Sequence, residues 1–177
     1  HCAGVIGARR DPLGGRRYSV APEVELLVGK VLDNSGSGYD DQILEGIDWA
    51  ADLGARVISM SLGSPRSAGA PFSAAYELVA ATRLAEADGV LIVAASGNES
   101  DRPYRRAAVG NPAACPSFLA VAAIDRHRRV GYFSCAQLDS IGKVDVSGPG
   151  VGVYSSWKGG GYNTISGTSM ATPHAAG

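Results

Sequence analysis

Apolar runs and amphipathic segments alternate along the first half of the chain. Apolar residues are nearly continuous over residues 25–32, 56–61 and 90–95, as expected for strands that are covered on both faces. Between these runs, apolar positions recur at helical spacing in residues 42–53 and again in residues 71–84, and a glycine (Gly54, Gly89) follows each segment as a helix stop. The order strand–helix–strand–helix–strand predicts right-handed crossovers and a parallel sheet with helices on both faces.

The second half of the chain is predicted to contain short strands that lead into one C-terminal helix. The strand segments are residues 118–124, 130–133, 144–146 and 151–155. There is no internal repeat and no linker-like stretch, so the pattern predicts a single domain. The predicted fold class is α/β, with three layers and a mostly parallel sheet.

Composition excludes several classes of partner. A chain of 177 residues with 45% apolar residues can bury a core of its own. A formal net charge of −1 gives no nucleic-acid footprint and no polybasic membrane surface. The arginines cluster only in polar, glycine-rich or proline-rich connections, which indicates solvated loops. No apolar run approaches transmembrane length, and we expect a monomer that binds neither nucleic acid nor membrane.

The C-terminal segment carries the candidate chemistry. Gly167 precedes Thr168 and Ser169, and a run of small residues follows. This pattern predicts a sharp turn into a helix with Ser169 in the first turn, where unpaired N–H groups and the positive end of the helix dipole lie. A serine hydroxyl there can attack a carbonyl while N–H groups hold the resulting oxyanion. The alternative for a Gly-Thr-Ser sequence alone is an ordinary helix cap.

The whole string GTSMATPHAAG at residues 167–177 resembles the nucleophile segment of subtilisin-like serine proteases. Four further segments resemble parts of the same family in the same order. The runs 57–63 and 90–99 are similar to the substrate-pairing strand and to the strand that leads to the oxyanion asparagine. Residues 109–117 resemble the loop behind the specificity pocket, and residues 144–151 resemble the Ala-Pro-Gly segment, with Gly148 in place of the alanine. The resemblance implies a three-layer subtilisin-like fold.

The resemblance also implies the site residues. Ser169 is the nucleophile, and Asn98 is the oxyanion donor together with the backbone N–H of Ser169; taken alone, Asn98 is equally well explained as a turn residue. Glu99 is either a rim residue that favours a basic substrate side chain or an ordinary solvated carboxylate. The bond between Asn111 and Pro112 matches a position where the family often has a cis peptide. The expected substrate-binding residues, which pair with the peptide or line its pocket, are Ser61, Leu62, Gly63, Ala95, Ser96, Gly97, Gly110 and Thr168.

The resemblance requires an Asp–His–Ser triad in that chain order, and only the serine has a match. His1 aligns either with the catalytic histidine of the His-Gly-Thr-His motif or with the second, non-catalytic one. The second alignment fits all of the small residues that follow, so the catalytic histidine is expected upstream of residue 1. Asp33 and Asp145 follow the histidine's place in the chain and do not replace the aspartate, and His127 and His174 do not replace the base.

We therefore expect residues 1–177 to be a single partial peptidase domain, without the N-terminal part of the domain and the end of the serine helix. The leading hypothesis is a serine endopeptidase that forms an acyl-enzyme on Ser169, with this segment inactive by itself. The alternatives are a non-catalytic peptide-binding pseudoprotease and, less favoured by the residues after Ser169, a serine-carboxyl peptidase.

Cofactor, compartment and cysteine chemistry are less specified. No cofactor or metal is assigned, although calcium is possible in the parent protein; residues 9–17 lie where the family has a calcium loop but contain four arginines and one carboxylate, Asp11. The family resemblance implies secretion, and no signal peptide is visible. Cys2 is expected to be a free, buried thiol beside the active site, whereas Cys115 and Cys135 either pair or remain free.

Overall fold

A parallel sheet of four strands occupies the centre of the protein. The computed structural model describes residues 1–11, 16–87 and 89–177. Its strands, in the order β1-β2-β3-β4 across the sheet, are β1 (Val57–Met60), β2 (Leu91–Ala95), β3 (Phe118–Ile124) and β4 (Val146–Pro149). All three pairings are parallel, and the register places Ala94 of β2 beside Met60 of β1 and Ala120 of β3. The predicted α/β class with a mostly parallel sheet is confirmed.

Helices cover both faces of this sheet. They are α1 (Cys2–Gly7), α2 (Asp40–Asp52), α3 (Ala74–Ala85) and α4 (Thr168–Ala176). The apolar faces of α2 and α3 pack on the side of the sheet to which Ile92 and Ala120 point. Helix α4 packs on the opposite side, where Ala171 contacts Val93 and Val121. The predicted three-layer arrangement is therefore present. Successive side chains of a strand point to opposite faces of the sheet, so each strand supplies apolar residues to both helical layers.

The ends of the two middle helices follow from local chemistry. Gly54 takes a φ of +87° just after α2 and its N–H bonds to the carbonyl of Ala51, as expected of a glycine stop. Helix α3 begins at Ala74 rather than at Pro71, where the sequence placed its start. The N–H of Ser73 donates to the side-chain oxygen of Asn111, which holds Ser73 outside the helix as its N-cap.

The strand predicted over residues 25–32 is wrong. In the described chain this segment joins no ladder, and residues 23–30 are exposed. Its last residues, Val31 and Leu32, contact the buried cluster to which α2 and α3 contribute. An apolar run predicts burial, but a strand also needs a neighbouring strand for its backbone hydrogen bonds, and the pattern does not supply one.

The second half agrees in outline and differs in detail. Strand β3 lies where it was predicted, whereas residues 130–133 form no strand and make only a single bridge, between Val130 and Ile124. Strand β4 begins at Val146, the last residue of its predicted segment. The predicted strand at 151–155 corresponds to β5 (Val153–Ser156), which pairs in antiparallel fashion with β6 (Tyr162–Ile165), a strand that the sequence analysis missed. In the described chain no helix is long and apolar enough to cross a bilayer.

Candidate active site

The carboxyl ends of β1 and β2 meet the N-terminus of α4 at one edge of the sheet. Ser61 directly follows β1, Ser96 directly follows β2, and Ser169 is the second residue of α4. Helix α4 packs across these strands on one face of the sheet. Ligands of open α/β sheets bind at this edge, so the fold places the predicted nucleophile where a substrate can reach it.

Ser169 is hydrogen-bonded to the segment that follows β1. Its Oγ donates to the carbonyl of Ser61 at 3.3 Å, and the Oγ of Ser61 donates to the carbonyl of Ser169 at 2.7 Å. The thiol of Cys2 donates to the same Ser169 carbonyl at 3.3 Å. The nucleophile is half-buried, and its backbone is thus fixed from two elements while its hydroxyl stays at the cavity surface.

Asn98 lies beside the nucleophile with its amide orientation fixed. Its Oδ1 accepts from the backbone N–H of Thr168 at 2.8 Å and from the Oγ1 of Thr168 at 3.0 Å. These two bonds fix which side of the amide carries the oxygen, and the Nδ2 group on the other side is the hydrogen-bond donor of Asn98. The backbone N–H of Ser169 is in the first turn of α4, where no carbonyl of the helix can accept it. These two donors match the predicted oxyanion pair.

Thr168 was predicted to bind substrate, and its contacts give it a positioning role as well. The residue is fully buried, and its Oγ1 accepts from the backbone N–H of Gly97 at 3.3 Å while donating to Asn98. Its carbonyl accepts from the Oγ1 of Thr172 one turn later. Thr168 therefore couples the start of α4 to the turn after β2, a link that the sequence did not indicate.

A cavity of about 630 Å³ opens next to Ser169. It brings together the predicted oxyanion and substrate residues, lined by Ser61, Leu62, Gly63, Ala95, Gly97, Asn98, Gly110, Thr168 and Ser169. Ser96 is the exception and does not line it. Ser96 is fully buried, with its N–H donating to the carbonyl of Val121 and its carbonyl accepting from the N–H of Gly110. Ser96 thus supports the pocket wall from behind.

One side of the cavity depends on a close approach of two backbones. The N–H of Ser64 donates to the carbonyl of Asn111 at 2.8 Å, and the N–H of Asn111 donates back to the carbonyl of Ser64 at 3.0 Å. A Cβ atom on Gly63 would lie 2.6 Å from the carbonyl oxygen of Asn111, so only glycine fits there. The peptide bond between Asn111 and Pro112 is cis, as the family resemblance implied.

The three cysteines are free thiols. The open alternative that Cys115 pairs with Cys135 is therefore not realised. Cys115 donates to the carbonyl of Ser73, and Cys135 donates to the Oε2 of Glu99. Burial is the main cause that raises the pKa of Cys115 to about 12 and that of Cys135 to about 11. Cys2, expected to be buried, is partly exposed.

None of the histidines is placed as a base for Ser169. His1 pairs through Nε2 with the carbonyl of Val153 at 3.1 Å, and His174 pairs through Nδ1 with the carbonyl of Met170 at 2.8 Å. His127 is exposed and accepts from Arg126. These contacts agree with the alignment of His1 on the non-catalytic position and with the structural role expected for His174.

The rejected carboxylates also have other partners. Asp33 accepts from the backbone N–H groups of Ser35 and Ser37 in its own turn. Asp145 accepts from the N–H of Ala120 at 2.8 Å. Neither makes a recorded contact with the nucleophile.

The candidate calcium loop is only partly covered by the structure. Residues 12–15 of that loop lie outside the described residues. Over the ranges that are described, no group of three or more His, Cys, Asp or Glu side chains is arranged to hold a metal. Calcium prefers six to eight oxygen ligands, whereas this loop offers one carboxylate among four arginines.

Comparison with known proteins agrees with this geometry. The chain is 40% identical over 177 residues to an intracellular serine protease of Paenibacillus polymyxa and 39% identical over 178 residues to subtilisin DY of Bacillus licheniformis. All of the chain is covered in both cases, together with 50% and 60% of those proteins. The chain thus spans about half the length of the curated relatives that it matches.

Solved structures give the same result. Sphericase superposes with a TM-score of 0.80 at 38% identity, over 99% of this chain and 59% of that one. A cold-adapted subtilisin-like serine proteinase superposes with a TM-score of 0.79 at 35% identity, over 100% of this chain and 57% of that one. The family model described as the subtilase family, peptidase S8, matches residues 1–177, and the chain belongs to that family.

Proposed function

We propose that the complete gene product containing this chain is a serine endopeptidase that forms an acyl-enzyme on Ser169. The observation that carries the proposal is that Thr168, the residue before Ser169 at the start of α4, donates through both its backbone N–H and its hydroxyl to the amide oxygen of Asn98. That arrangement leaves an N–H donor aimed at developing negative charge, which is the largest catalytic contribution in acyl transfer.

The chemistry assigns a role to each group. The Oγ of Ser169 attacks the carbonyl carbon of the scissile bond as its proton passes to a base. The Nδ2 group of Asn98 and the N–H of Ser169 stabilise the oxyanion. The base returns the proton to the leaving amine, and water then hydrolyses the ester. We propose that this base is a histidine that precedes His1 in the complete protein, oriented by an aspartate further upstream.

Substrate binding is proposed to rely on the backbone of residues 61–63. An extended peptide that pairs with this segment is held through main-chain hydrogen bonds, which are independent of side-chain identity. The glycines that line the cavity, Gly63, Gly97 and Gly110, leave room for a substrate side chain next to the scissile bond. The substrates are therefore peptides or proteins in extended conformation.

Labelling with a fluorophosphonate probe tests the activity. The complete gene product should be labelled at Ser169 and should cleave a denatured protein, whereas its Ser169→Ala variant should do neither. A folded, full-length protein that remains unlabelled and cleaves nothing would favour the peptide-binding pseudoprotease instead. Anisotropy of a fluorescent peptide would then measure binding without hydrolysis.

Compartment, assembly and metal dependence belong to the same proposal. We expect an exported monomer, although the similar protein of Paenibacillus polymyxa is named intracellular; fractionation of the source cells, together with light scattering of the purified protein, tests both points. No cofactor is assigned to the reaction. A calcium ion in the parent protein is possible, as the family resemblance implies, and the melting temperature with and without a chelator tests for it.

A further inference from the structure

The charged residues that line the active-site cavity are both acidic. Among its described lining residues, Asp40 and Glu99 carry charge, and the rest are apolar, small or neutral polar residues. The chain as a whole is nearly balanced, with 16 basic and 17 acidic residues. The negative lining is thus a property of this site and not of the composition.

Asp40 is held in place by a buried tyrosine. It lies in the first turn of α2, and its Oδ1 accepts from the hydroxyl of Tyr76 on α3 at 3.0 Å. Tyr76 is only 3% exposed. Burial and then the contact with Asp40 raise the pKa of Tyr76 above its usual range, so the hydroxyl keeps its proton and donates. Asp40 is thereby positioned by a neutral partner.

Glu99 is held in the same way by a buried thiol. Its Oε2 accepts from the Sγ of Cys135 at 3.1 Å, and Cys135 is 1% exposed. Gly97 passes beside this pair, with a φ of +112°, and a Cβ atom added there would lie 2.5 Å from the same Oε2. The absence of a side chain at Gly97 therefore lets the carboxylate reach the thiol across the turn.

Among the described residues, no ion pair to Asp40 or to Glu99 is recorded. Across the described ranges, the ion pairs of arginine and lysine involve other acidic residues. The guanidinium of Arg105 donates to the backbone carbonyl of Glu99 at 2.7 Å. Like charges in a concave site with low-dielectric walls focus their field on whatever enters.

The two carboxylates serve different parts of the cavity. Glu99 directly follows the proposed oxyanion donor Asn98, and both residues line the cavity together with Ser169, which assigns Glu99 to the substrate side chain next to the scissile bond. Asp40 contacts Tyr76, which belongs to the same apolar cluster as Ile43 and Leu62. An apolar floor with a carboxylate at its rim suits the methylene stem and cationic head of lysine or arginine.

We propose that this cavity selects peptides with basic side chains at two positions, one facing Glu99 beside the scissile bond and one facing Asp40 further along the strand that pairs with residues 61–63. The inference rests on the proposed peptidase activity, because it assigns the substrate class of the same site. Arginine is the better probe of the two basic residues, because its guanidinium forms bidentate bonds with a carboxylate.

The test compares arginine with citrulline, its neutral isostere, in fluorogenic peptides cut by the full-length protein. We expect kcat/KM to favour arginine about tenfold at each of the two positions, as for a hydrogen-bonded ion pair, and the preference should weaken in high salt. Glu99→Gln should remove the preference next to the scissile bond alone, and Asp40→Asn should remove the other alone. A ratio near one at both positions in the wild-type protein would overturn the proposal.

Matched controls separate specific contacts from net charge. Asp41→Asn and Asp101→Asn make the same one-charge change at exposed residues that do not line the cavity, and they should leave both preferences intact. If the controls lost as much of the arginine preference as the cavity variants, the preference would come from long-range electrostatics. That outcome would refute its assignment to Asp40 and Glu99.

The thiol gives an independent readout of positioning. Cys135→Ala removes the donor to Glu99 and should lower the arginine preference severalfold through KM, whereas Cys135→Ser keeps a donor and should restore it. Unchanged preference in both variants would contradict a positioning role for Cys135.

Failure of the inference is distinguishable from failure of the proposed function. A protein that is labelled on Ser169 and cleaves peptides, but ignores charge, retains the function and loses the inference. If no cleavage occurs at all, the same arginine and citrulline peptides can be compared by fluorescence anisotropy. Equal affinities there would overturn the inference as well.

Discussion

Ser61 and Ser169 exchange hydrogen bonds across 108 residues of sequence: each hydroxyl donates to the other residue's carbonyl, at 2.7 Å from Ser61 and 3.3 Å from Ser169. Ser61 belongs to the segment that is proposed to pair with the substrate, and Ser169 is the proposed nucleophile. The exchange therefore ties the position of the bound peptide backbone to the position of the attacking oxygen, and small errors in that distance are costly to catalysis.

Ser61→Ala removes one half of this exchange. The variant loses the donor to the Ser169 carbonyl but keeps its own carbonyl as an acceptor. A neutral hydrogen bond contributes about 0.5–1.5 kcal/mol, so kcat should fall roughly two- to tenfold with little change in KM. Steady-state kinetics measure this in the full-length protein. Ser67→Ala, at an exposed serine of the same loop, should have wild-type kinetics; a similar loss there would contradict the specific role of Ser61.

Thr168→Val tests whether the orientation of Asn98 matters. Valine keeps the shape of threonine but cannot donate to the Oδ1 of Asn98 or accept from the N–H of Gly97. Direct loss of an oxyanion donor, as in Asn98→Ala, should cost about 10²–10³ in kcat. Loss of its orientation should cost less, about tenfold. Thr168→Ser should recover most of the rate, and a fully active Thr168→Val variant would refute the positioning role.

Strand positions were predictable where burial alone decided them. The seven apolar residues of β3 are buried or partly buried and pair on both sides, so the run and the strand coincide. The run at residues 25–32 has the same appearance but no ladder partner in the described chain. Strand β6 was missed because it has only four residues, two of them polar and two exposed, and its antiparallel pairing with β5 depends on a turn rich in glycine.

The site likewise has residues that a local sequence pattern predicts and contacts that depend on distant parts of the chain. Ser169 and Asn98 were predicted as site residues because the segments around them resemble those of a known family, and the structure places both at one cavity. The contacts that orient them were not predictable, since Thr168 is 70 residues from Asn98 along the chain. The carboxylate of Asp40 was not predicted as part of the site, because its approach to Tyr76 depends on how α2 packs against α3.

Cys2 provides a chemical test of the site. Its thiol is 3.3 Å from the carbonyl of Ser169 and partly exposed, whereas Cys115 and Cys135 are buried. The raised pKa values of the two buried thiols keep them protonated and unreactive near neutral pH. A mercurial should therefore modify Cys2 first, displace Ser169 and abolish most of the activity. Cys2→Ser should be active and resistant; wild-type activity that survives stoichiometric modification of Cys2 would contradict this.

A buried ion pair behind the pocket sets the stability. The side chain of Arg66 is 2% exposed, pairs with Asp139 at 3.0 Å and donates through Nε to the carbonyl of Val109 at 2.9 Å. Val109 precedes Gly110, which lines the cavity. Asp139 also accepts from the backbone N–H groups of Gly69 and Gly142. The pair thus clamps three loops, and removal of one partner would leave a buried charge without its counter-ion.

Asp139→Asn should lower the melting temperature of the full-length protein by roughly 5–15 °C near neutral pH. The Arg66 guanidinium, followed by the backbone N–H groups, holds the pKa of Asp139 well below its usual range. A carboxyl whose pKa is lower in the folded than in the unfolded state stabilises the fold above the unfolded pKa, about 3.9, and loses that contribution as the pH falls below it. The difference in melting temperature between wild type and Asp139→Asn should therefore be constant from about pH 5 to pH 8 and shrink below about pH 4.

Asp41→Asn, the same change on an exposed aspartate, should show only a small difference. A wild-type advantage that persists undiminished to about pH 2 would mean that the charge of Asp139 is not what holds the three loops together.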